Sequence, residues 1–157
     1  MIIFNFDVLA LPSKEFGARV PYPEGIRLWS DLFETHMGRL AVVIDEAPPA
    51  HILEHWLKIN GIKAAVYEEL GTTDPQMKAE KVYKLAMTVG TKDWYIDTDP
   101  RTLAITMQLG MPSLLVANPY IVRPEWVEPQ HNRPWDELVE EIDRQATMRA
   151  ARDWGEG

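Results

Sequence analysis

The stretch YIDTDPRTLAITMQLGMPSLLV, residues 95–116, decides the fold because it holds two short apolar runs with a helical pattern between them. The first run ends at Asp97, and the second covers residues 113–117. Between them, Pro100 and Gly110 stand where a helix typically begins and ends. A strand, a helix and another strand in this order predict neighbouring parallel strands of one sheet.

The same alternation of strand and helix patterns occupies the chain before this stretch. Apolar, β-rich runs predict strands at residues 2–8, 39–45, within 62–70 and at 93–97. Helical spacing predicts helices at residues 23–38, 48–59, 76–88 and 100–109. We therefore expect an α/β fold, with a five-stranded parallel sheet that carries helices on both faces.

The spacing of apolar residues also indicates which side chains enter the core. On the second helix, Ile52 and Leu57 are among the residues expected to face the sheet. Trp29 on the first helix and Trp94 on the fourth strand are likewise expected to be core residues. Both expectations concern large apolar side chains, which contribute most to the stability of a core.

The length of 157 residues is typical of a single domain, which we assign to residues 1–157. Residues 1–117 form its predicted core, and residues 118–133 are a loop rich in proline. Pro134 begins a predicted C-terminal helix over residues 134–152. The hydrophobic fraction of 46% and the charged fraction of 25% are those of an ordinary globular chain.

Charge and composition exclude several classes of function. The chain has 24 acidic and 16 basic residues, and its formal net charge of −8 argues against an extended nucleic-acid-binding face. A small pocket for one phosphate end stays compatible with this charge. The absence of cysteine excludes disulfides, thiolate zinc sites and a cysteine nucleophile. With no apolar run long enough for a membrane span, we expect no membrane partner and a cytoplasmic location.

Acidic residues fall at the carboxyl ends of three of the predicted strands: Asp7, Asp45 and Asp97. Ligands of open parallel sheets bind beyond the carboxyl ends of the strands, where these residues would lie. Carboxylates are ligands that Mg²⁺ prefers, and an aspartate after the first strand can act as nucleophile or proton donor. We therefore predict a site with Asp7 and Asp97 as metal ligands, and we expect Asp99, before Pro100, to cap a helix.

The motifs around these acids resemble those of the haloacid dehalogenase (HAD) superfamily, whose members are mostly Mg²⁺-dependent phosphohydrolases. Residues 5–9, Asn-Phe-Asp-Val-Leu, are similar to its first motif, an apolar strand followed by Asp-x-Asp-Gly-Thr-Leu. In MKAEKVY, Lys78 occupies the place of the third-motif lysine, and YIDTD resembles the fourth motif. The resemblance covers residues 1–117, without a large cap domain. It implies a Rossmann-like sheet of order 3-2-1-4-5, Mg²⁺ as cofactor and a phosphate-bearing small molecule as ligand. The layout is also similar to the phosphatase domain of a phage polynucleotide kinase, which implies a nucleotide-type substrate.

The sequence departs from this motif pattern at decisive positions. In one alignment, Asn5 takes the place of the nucleophilic aspartate and Asp7 keeps the acid/base position. A neutral amide is a poor nucleophile and a weaker magnesium ligand than a carboxylate. The phosphate-binding Ser/Thr of the second motif corresponds to Ile44 or Asp45, and an anion there would repel phosphate.

Two questions stay open at this point. In a second register, shifted by two residues, Asp7 is the nucleophile, the following acid is lost at Leu9 and Asn5 is buried in the strand. The second question concerns Lys78, which either neutralises a bound phosphate together with the charge near Asp97 or belongs to a solvated helix face with Lys81 and Lys84.

These alternatives lead to three hypotheses about function. The first is a binding or interaction protein with a degenerate site and weak or no phosphatase activity. The second is a Mg²⁺-dependent phosphohydrolase that acts on nucleotide or polynucleotide phosphate with Asp7 as nucleophile. The third is a homo-oligomer that associates through residues 118–152.

Overall fold

Seven strands and five helices are present in the computed structural model, which describes residues 1–12, 19–90, 93–117 and 134–153. The strands are β1 (Ile2–Asn5), β2 (Ala10–Pro12), β3 (Arg19–Pro21), β4 (Leu40–Ile44), β5 (Val66–Glu69), β6 (Tyr95–Asp97) and β7 (Ser113–Leu115). The helices are α1 (Pro23–Thr35), α2 (Ala50–Ile59), α3 (Pro75–Thr88), α4 (Pro100–Gln108) and α5 (Pro134–Asp153).

Five of the strands form one parallel sheet of order β5-β4-β1-β6-β7. Numbered along the chain within this sheet, the order is 3-2-1-4-5, so the prediction of a Rossmann-like α/β sheet is confirmed. The central strand β1 pairs with β4 on one side and with β6 on the other. All four residues of β1 are buried, as expected for a strand that helices cover on both faces.

Alternate residues of the sheet enter two separate cores. Ile2 and Phe4 pack in one core with Trp29 of α1 and Leu57 of α2. Ile3, between them in β1, faces the other core, which includes side chains of α3 and α4. This alternation follows from the two-residue period of a strand, and it separates the α1–α2 face of the sheet from the α3–α4 face.

The first strand is shorter than predicted, and two further short strands, which the sequence pattern did not predict, follow it. β1 ends at Asn5 because the side-chain oxygen of Asn5 accepts a hydrogen bond from the backbone N–H of Asp7 at 2.9 Å. This bond begins a 3₁₀ turn over Phe6–Val8. β2 and β3 then pair antiparallel as a small second sheet. Asp7 therefore lies in a turn and not in the strand predicted for it.

Two predicted core residues are largely exposed. Trp94 precedes the short strand β6 and is 47% exposed, and Ile52 is 49% exposed on α2. Trp29 and Leu57, in contrast, are buried as predicted. Helical spacing marked one broad apolar face on α2, but only part of that face meets the sheet. The predicted C-terminal helix is present as α5 and packs against α4. The proline-rich loop at residues 118–133 lies outside the described residues.

Replacing Gly25 by alanine is expected to lower the free energy of unfolding by about 3 kcal/mol, near the upper end for overpacking a core. Gly25 lies in the first turn of α1, where an added Cβ would be only 1.8 Å from the carbonyl oxygen of Val8. Urea unfolding measures the change. Gly90→Ala is the control, because it meets no atom within 4 Å and costs only about 1 kcal/mol of left-handed backbone strain. Equal losses in both variants would contradict the close packing of α1 on the turn.

Candidate functional site

A closed ring of five polar side chains lies at the carboxyl end of the sheet, and we call Asn5, Asp45, Lys78, Tyr95 and Asp97 the polar ring. The Asn5 amide nitrogen donates to Asp45 Oδ1 at 2.8 Å and lies 3.4 Å from the Tyr95 hydroxyl. That hydroxyl donates to Asp97 Oδ2 at 2.6 Å. Lys78 Nζ closes the ring, 3.0 Å from Asp45 Oδ2 and 3.4 Å from Asp97 Oδ2.

The sheet places these side chains together for two reasons. The carboxyl ends of parallel strands share one edge, and Asn5 ends β1, Asp97 ends β6 and Asp45 directly follows β4. In addition, side chains two residues apart on a strand share a face. Asn5 lies two residues after Ile3, and Asp97 two after Tyr95, so both are directed to the α3–α4 face. Lys78 reaches them there from α3.

Lys78 is fully buried within this cluster. Its side chain is 0% exposed, and a third carboxylate, Asp99 Oδ2, lies 3.6 Å from Nζ. Lys84, on the same helix, is exposed. Of the two alternatives for Lys78, the solvated helix face is therefore wrong. The ammonium group is surrounded by the carboxylates of Asp45, Asp97 and Asp99, and their attraction offsets the cost of removing it from water.

Asp99 has the capping role predicted for it. Its Oδ1 accepts a hydrogen bond from the backbone N–H of Arg101 at 3.1 Å at the start of α4. Its Oδ2 accepts a second bond from the Thr102 hydroxyl at 2.7 Å. The same carboxylate that contacts Lys78 thus also stabilises the N-terminus of a helix.

Asp97 has an altered acidity. Burial raises the pKa of Asp97 to about 6, although nearby Lys78 acts in the opposite direction. Its Oδ1 accepts hydrogen bonds from the backbone N–H of Thr98 at 2.6 Å and of Asp99 at 3.3 Å. Burial, and then the charge of Asp97, also raise the pKa of Tyr95 well above its ordinary value, so the Tyr95 hydroxyl remains a donor at neutral pH.

The contribution of Asp97 to stability is expected to decrease by roughly 3 kcal/mol as the pH rises from about 4 to about 7. Its pKa in the folded protein is about 6, against 3.8 ordinarily, so between these values the native state binds more protons than the unfolded state. The stabilisation is therefore complete below pH 4 and is lost as the pH rises through 6. Urea unfolding of the wild type and Asp97→Asn across this range measures the difference. A difference that does not change with pH would contradict the raised pKa.

Asp7 lies beside the polar ring and has a different environment. Its Oδ1 lies 2.9 Å from Nη1 of Arg19 in β3, and 13% of its side chain is exposed to solvent. The Arg19 guanidinium also lies 5.6 Å from the centre of the Phe6 ring. Asp7 follows β1, and Asp97 ends the adjacent strand β6. Asp97 is buried in the polar ring, whereas Asp7 contacts Arg19 of β3.

The geometry bears on the predicted magnesium site. Both oxygens of Asp97 already accept hydrogen bonds, and Lys78 lies among the three buried carboxylates. Within residues 1–12, 19–90, 93–117 and 134–153, no group of three His, Asp or Glu side chains is arranged to hold a metal ion. Mg²⁺ would have to displace contacts of Asp97 in order to bind there, so magnesium stays a prediction.

Sequence reasoning missed Tyr95 and Arg19. Tyr95 was accessible in principle, because it lies two residues before Asp97 on the same strand and so shares its face. Arg19 had no comparable signal, since only the pairing of β2 with β3 brings it to Asp7. Asn5, Asp45, Lys78 and Asp97, which the sequence singled out, do lie together.

Comparison with family models, curated proteins and solved structures gave no match for this chain. Among the described residues, no helix is both long enough and apolar enough to cross a membrane. The fold and the polar ring therefore define the protein as a Rossmann-like α/β chain with a buried polar site at the carboxyl end of its sheet.

Proposed function

We propose that this protein is HAD-like and that its site is degenerate, so that it acts as a binding or interaction protein with weak or no phosphatase activity. The observation that carries this proposal is the polar ring. Asn5 occupies the place of the nucleophilic aspartate, and it is hydrogen-bonded within a buried network. A side-chain amide in this place does not supply the anionic oxygen that attack on phosphorus requires.

The charges of the ring support the same function. A phosphatase needs a cation that is free to neutralise the substrate phosphate. Lys78 is instead sealed from solvent and lies within 3.6 Å of three carboxylates. Asp45, at the predicted phosphate-binding position, adds a negative charge to the edge of the site that a phosphate would have to approach. Catalytic turnover through Asn5 and Lys78 is therefore disfavoured.

A specific observation favours the second candidate, a Mg²⁺-dependent phosphohydrolase with Asp7 as nucleophile. Asp7 is partly exposed and lies beside the guanidinium of Arg19, which is also partly exposed. In this alternative, a carboxylate oxygen of Asp7 would bond to phosphorus while the bond from phosphorus to the leaving nucleoside oxygen breaks, and that oxygen would take a proton from water. Hydrolysis of the aspartyl phosphate would then release inorganic phosphate and restore Asp7. Arg19 would neutralise the charge of the phosphate, and Asp7 with Asp97 would hold a magnesium ion, which would supply further positive charge there.

Turnover measurements distinguish the two candidates. Wild type, Asp7→Asn and Asn5→Asp are incubated with p-nitrophenyl phosphate, nucleoside monophosphates and a 5′-phosphorylated oligonucleotide, with and without Mg²⁺. We expect no release of phosphate by the wild type above the level of Asp7→Asn. Mg²⁺-dependent turnover that disappears in Asp7→Asn would overturn the proposal. Asn5→Asp tests whether a carboxylate at this position restores activity.

Ligand binding at the site has a separate measurement. A ligand that binds only the native state raises the melting temperature. We expect such a rise with a nucleoside monophosphate and Mg²⁺ together, and a smaller rise in Asp7→Asn. No rise in the wild type would contradict the binding of a phosphate ligand at this site.

A further inference from the structure

We infer that the cleft between α2 and β5 is a second binding site, which takes an uncharged, mainly apolar small molecule. This cleft has a volume of about 700 Å³. Its apolar lining includes Val42 and Ile44 of β4, Leu53 and Leu57 of α2, and Ile62. The polar ring lies on the opposite face of the sheet, so this inference does not depend on the proposed function.

The cleft arises from the position of β5 at the edge of the sheet. Val42 and Ile44 of β4 face the α1–α2 side, and their partners in β5 are Tyr67 and Glu69. α2 packs on the core through Leu57, while Tyr67 remains 46% exposed. The described residues therefore leave the face of β5 next to α2 incompletely covered, although the adjoining side chains of β4 are apolar.

Two of the polar side chains that line the cleft, Tyr67 and Glu69, already have partners within the protein. The Tyr67 hydroxyl accepts from the backbone N–H of Ala64 at 3.1 Å and donates to the carbonyl of Ile62 at 3.3 Å. Glu69 Oε1 accepts from the backbone N–H of Ala47 at 3.1 Å. A ligand with few hydrogen-bonding groups would therefore leave neither of these side chains without a partner. Its affinity would come from apolar contact.

Charges around the cleft argue against an anionic ligand. Its lining includes two lysines and three glutamates: Lys58, Lys63, Glu54, Glu68 and Glu69. Their signs nearly cancel, and the whole chain carries a formal charge of −8. A neutral molecule therefore meets no net repulsion, whereas an anion would approach against the overall field.

Size and composition favour a small molecule over a protein partner. The volume falls within the range of about 300–1,000 Å³ typical of small-molecule sites. Lysine and glutamate are depleted from the centres of protein interfaces, but they surround this cleft closely. The exposed Ile52 and Ile59 lie on the same helix outside the cleft lining, and they provide a matched control surface.

The test uses the neutral apolar dye Nile red, titrated against the whole chain and followed by fluorescence. We expect saturable binding of one dye per chain. Leu53→Glu places a carboxylate in the cleft wall and is expected to weaken binding at least about tenfold. Ile52→Glu, one residue away but outside the cleft, is expected to leave the affinity within about twofold. Because Leu53→Glu also removes a partly buried apolar side chain, Ala50→Trp serves as a second variant that obstructs the cleft from its rim.

Each outcome decides the inference. Binding that does not saturate, or that both cleft variants leave unchanged, would overturn it. An equal loss in Ile52→Glu would indicate general adhesion of the dye to α2 and would also overturn it. Sedimentation adds one further outcome. A wild-type dimer that Leu53→Glu dissociates would mean that a second copy of the chain occupies the cleft, and this result would overturn the inference of a small-molecule site.

Discussion

Replacing Lys78 by methionine is expected to lower the free energy of unfolding by about 4 kcal/mol, within the range measured when one partner of a buried ion pair is removed. Methionine keeps an unbranched side chain of similar length but lacks the ammonium group. Three carboxylates that now lie within 3.6 Å of Nζ would lose their shared counter-charge. Urea unfolding at neutral pH measures the loss.

Lys84→Met is the matched control for this prediction, because Lys84 is exposed on the same helix. We expect it to change the free energy of unfolding by no more than about 0.5 kcal/mol. The double variant Lys78→Met with Asp45→Asn should recover part of the loss, since one uncompensated charge is removed with its partner. If Lys78→Met were no more destabilising than Lys84→Met, the polar ring would not contribute to stability in the way described.

Replacing Trp29 by alanine is expected to cost about 4 kcal/mol, as for other large aromatic side chains removed from a core. Trp29 is 2% exposed, and its ring meets that of Phe4 edge-on with 5.1 Å between centroids. The ring of Phe33 stacks on the ring of Trp29 with 6.5 Å between centroids. The substitution therefore leaves a cavity between α1 and the central strand, and urea unfolding measures the cost.

Trp94→Ala is the control for Trp29→Ala, because Trp94 is 47% exposed. We expect a loss of no more than about 1 kcal/mol, since a half-exposed side chain leaves a smaller cavity and fewer lost contacts. A comparable loss in both variants would mean that the two tryptophans are equally important to packing, contrary to their burial.

The architecture of the sheet could be predicted because each element carries its own pattern. The β-rich runs of β1 and β4 and the Pro-to-Gly boundaries of α4 depend on neighbouring residues alone. The predicted elements differ from the structure where a single hydrogen bond or a strand pairing sets the bounds of an element. The Asn5 side chain ends β1 by capping the following turn, and the pairing of β2 with β3 joins residues that lie outside the predicted strands and helices.

The sequence predicted most of the residues that form the site, but it did not predict which of their side chains contact one another. The rule that ligands bind at the carboxyl ends of parallel strands indicated Asp7, Asp45 and Asp97, and the motif resemblance indicated Asn5 and Lys78. The sequence assigned Asp7 and Asp97 to one site but gave no sign that their side chains have different neighbours. Arg19 contacts Asp7, whereas Tyr95 and Lys78 contact Asp97.

The sequence by itself determined the order of the five strands of the parallel sheet and of the helices, the acids at the strand ends and an amide at residue 5, because these depend on local pattern and residue type. Tertiary structure alone decided that Lys78 is buried among three carboxylates, that the ring closes through Tyr95 and that a cleft lies between α2 and β5. Those features join residues up to 90 positions apart, as Asn5 and Tyr95 are. Such contacts depend on how the helices pack on the sheet, and neither the secondary-structure propensity of the residues nor their periodicity along the chain specifies that packing.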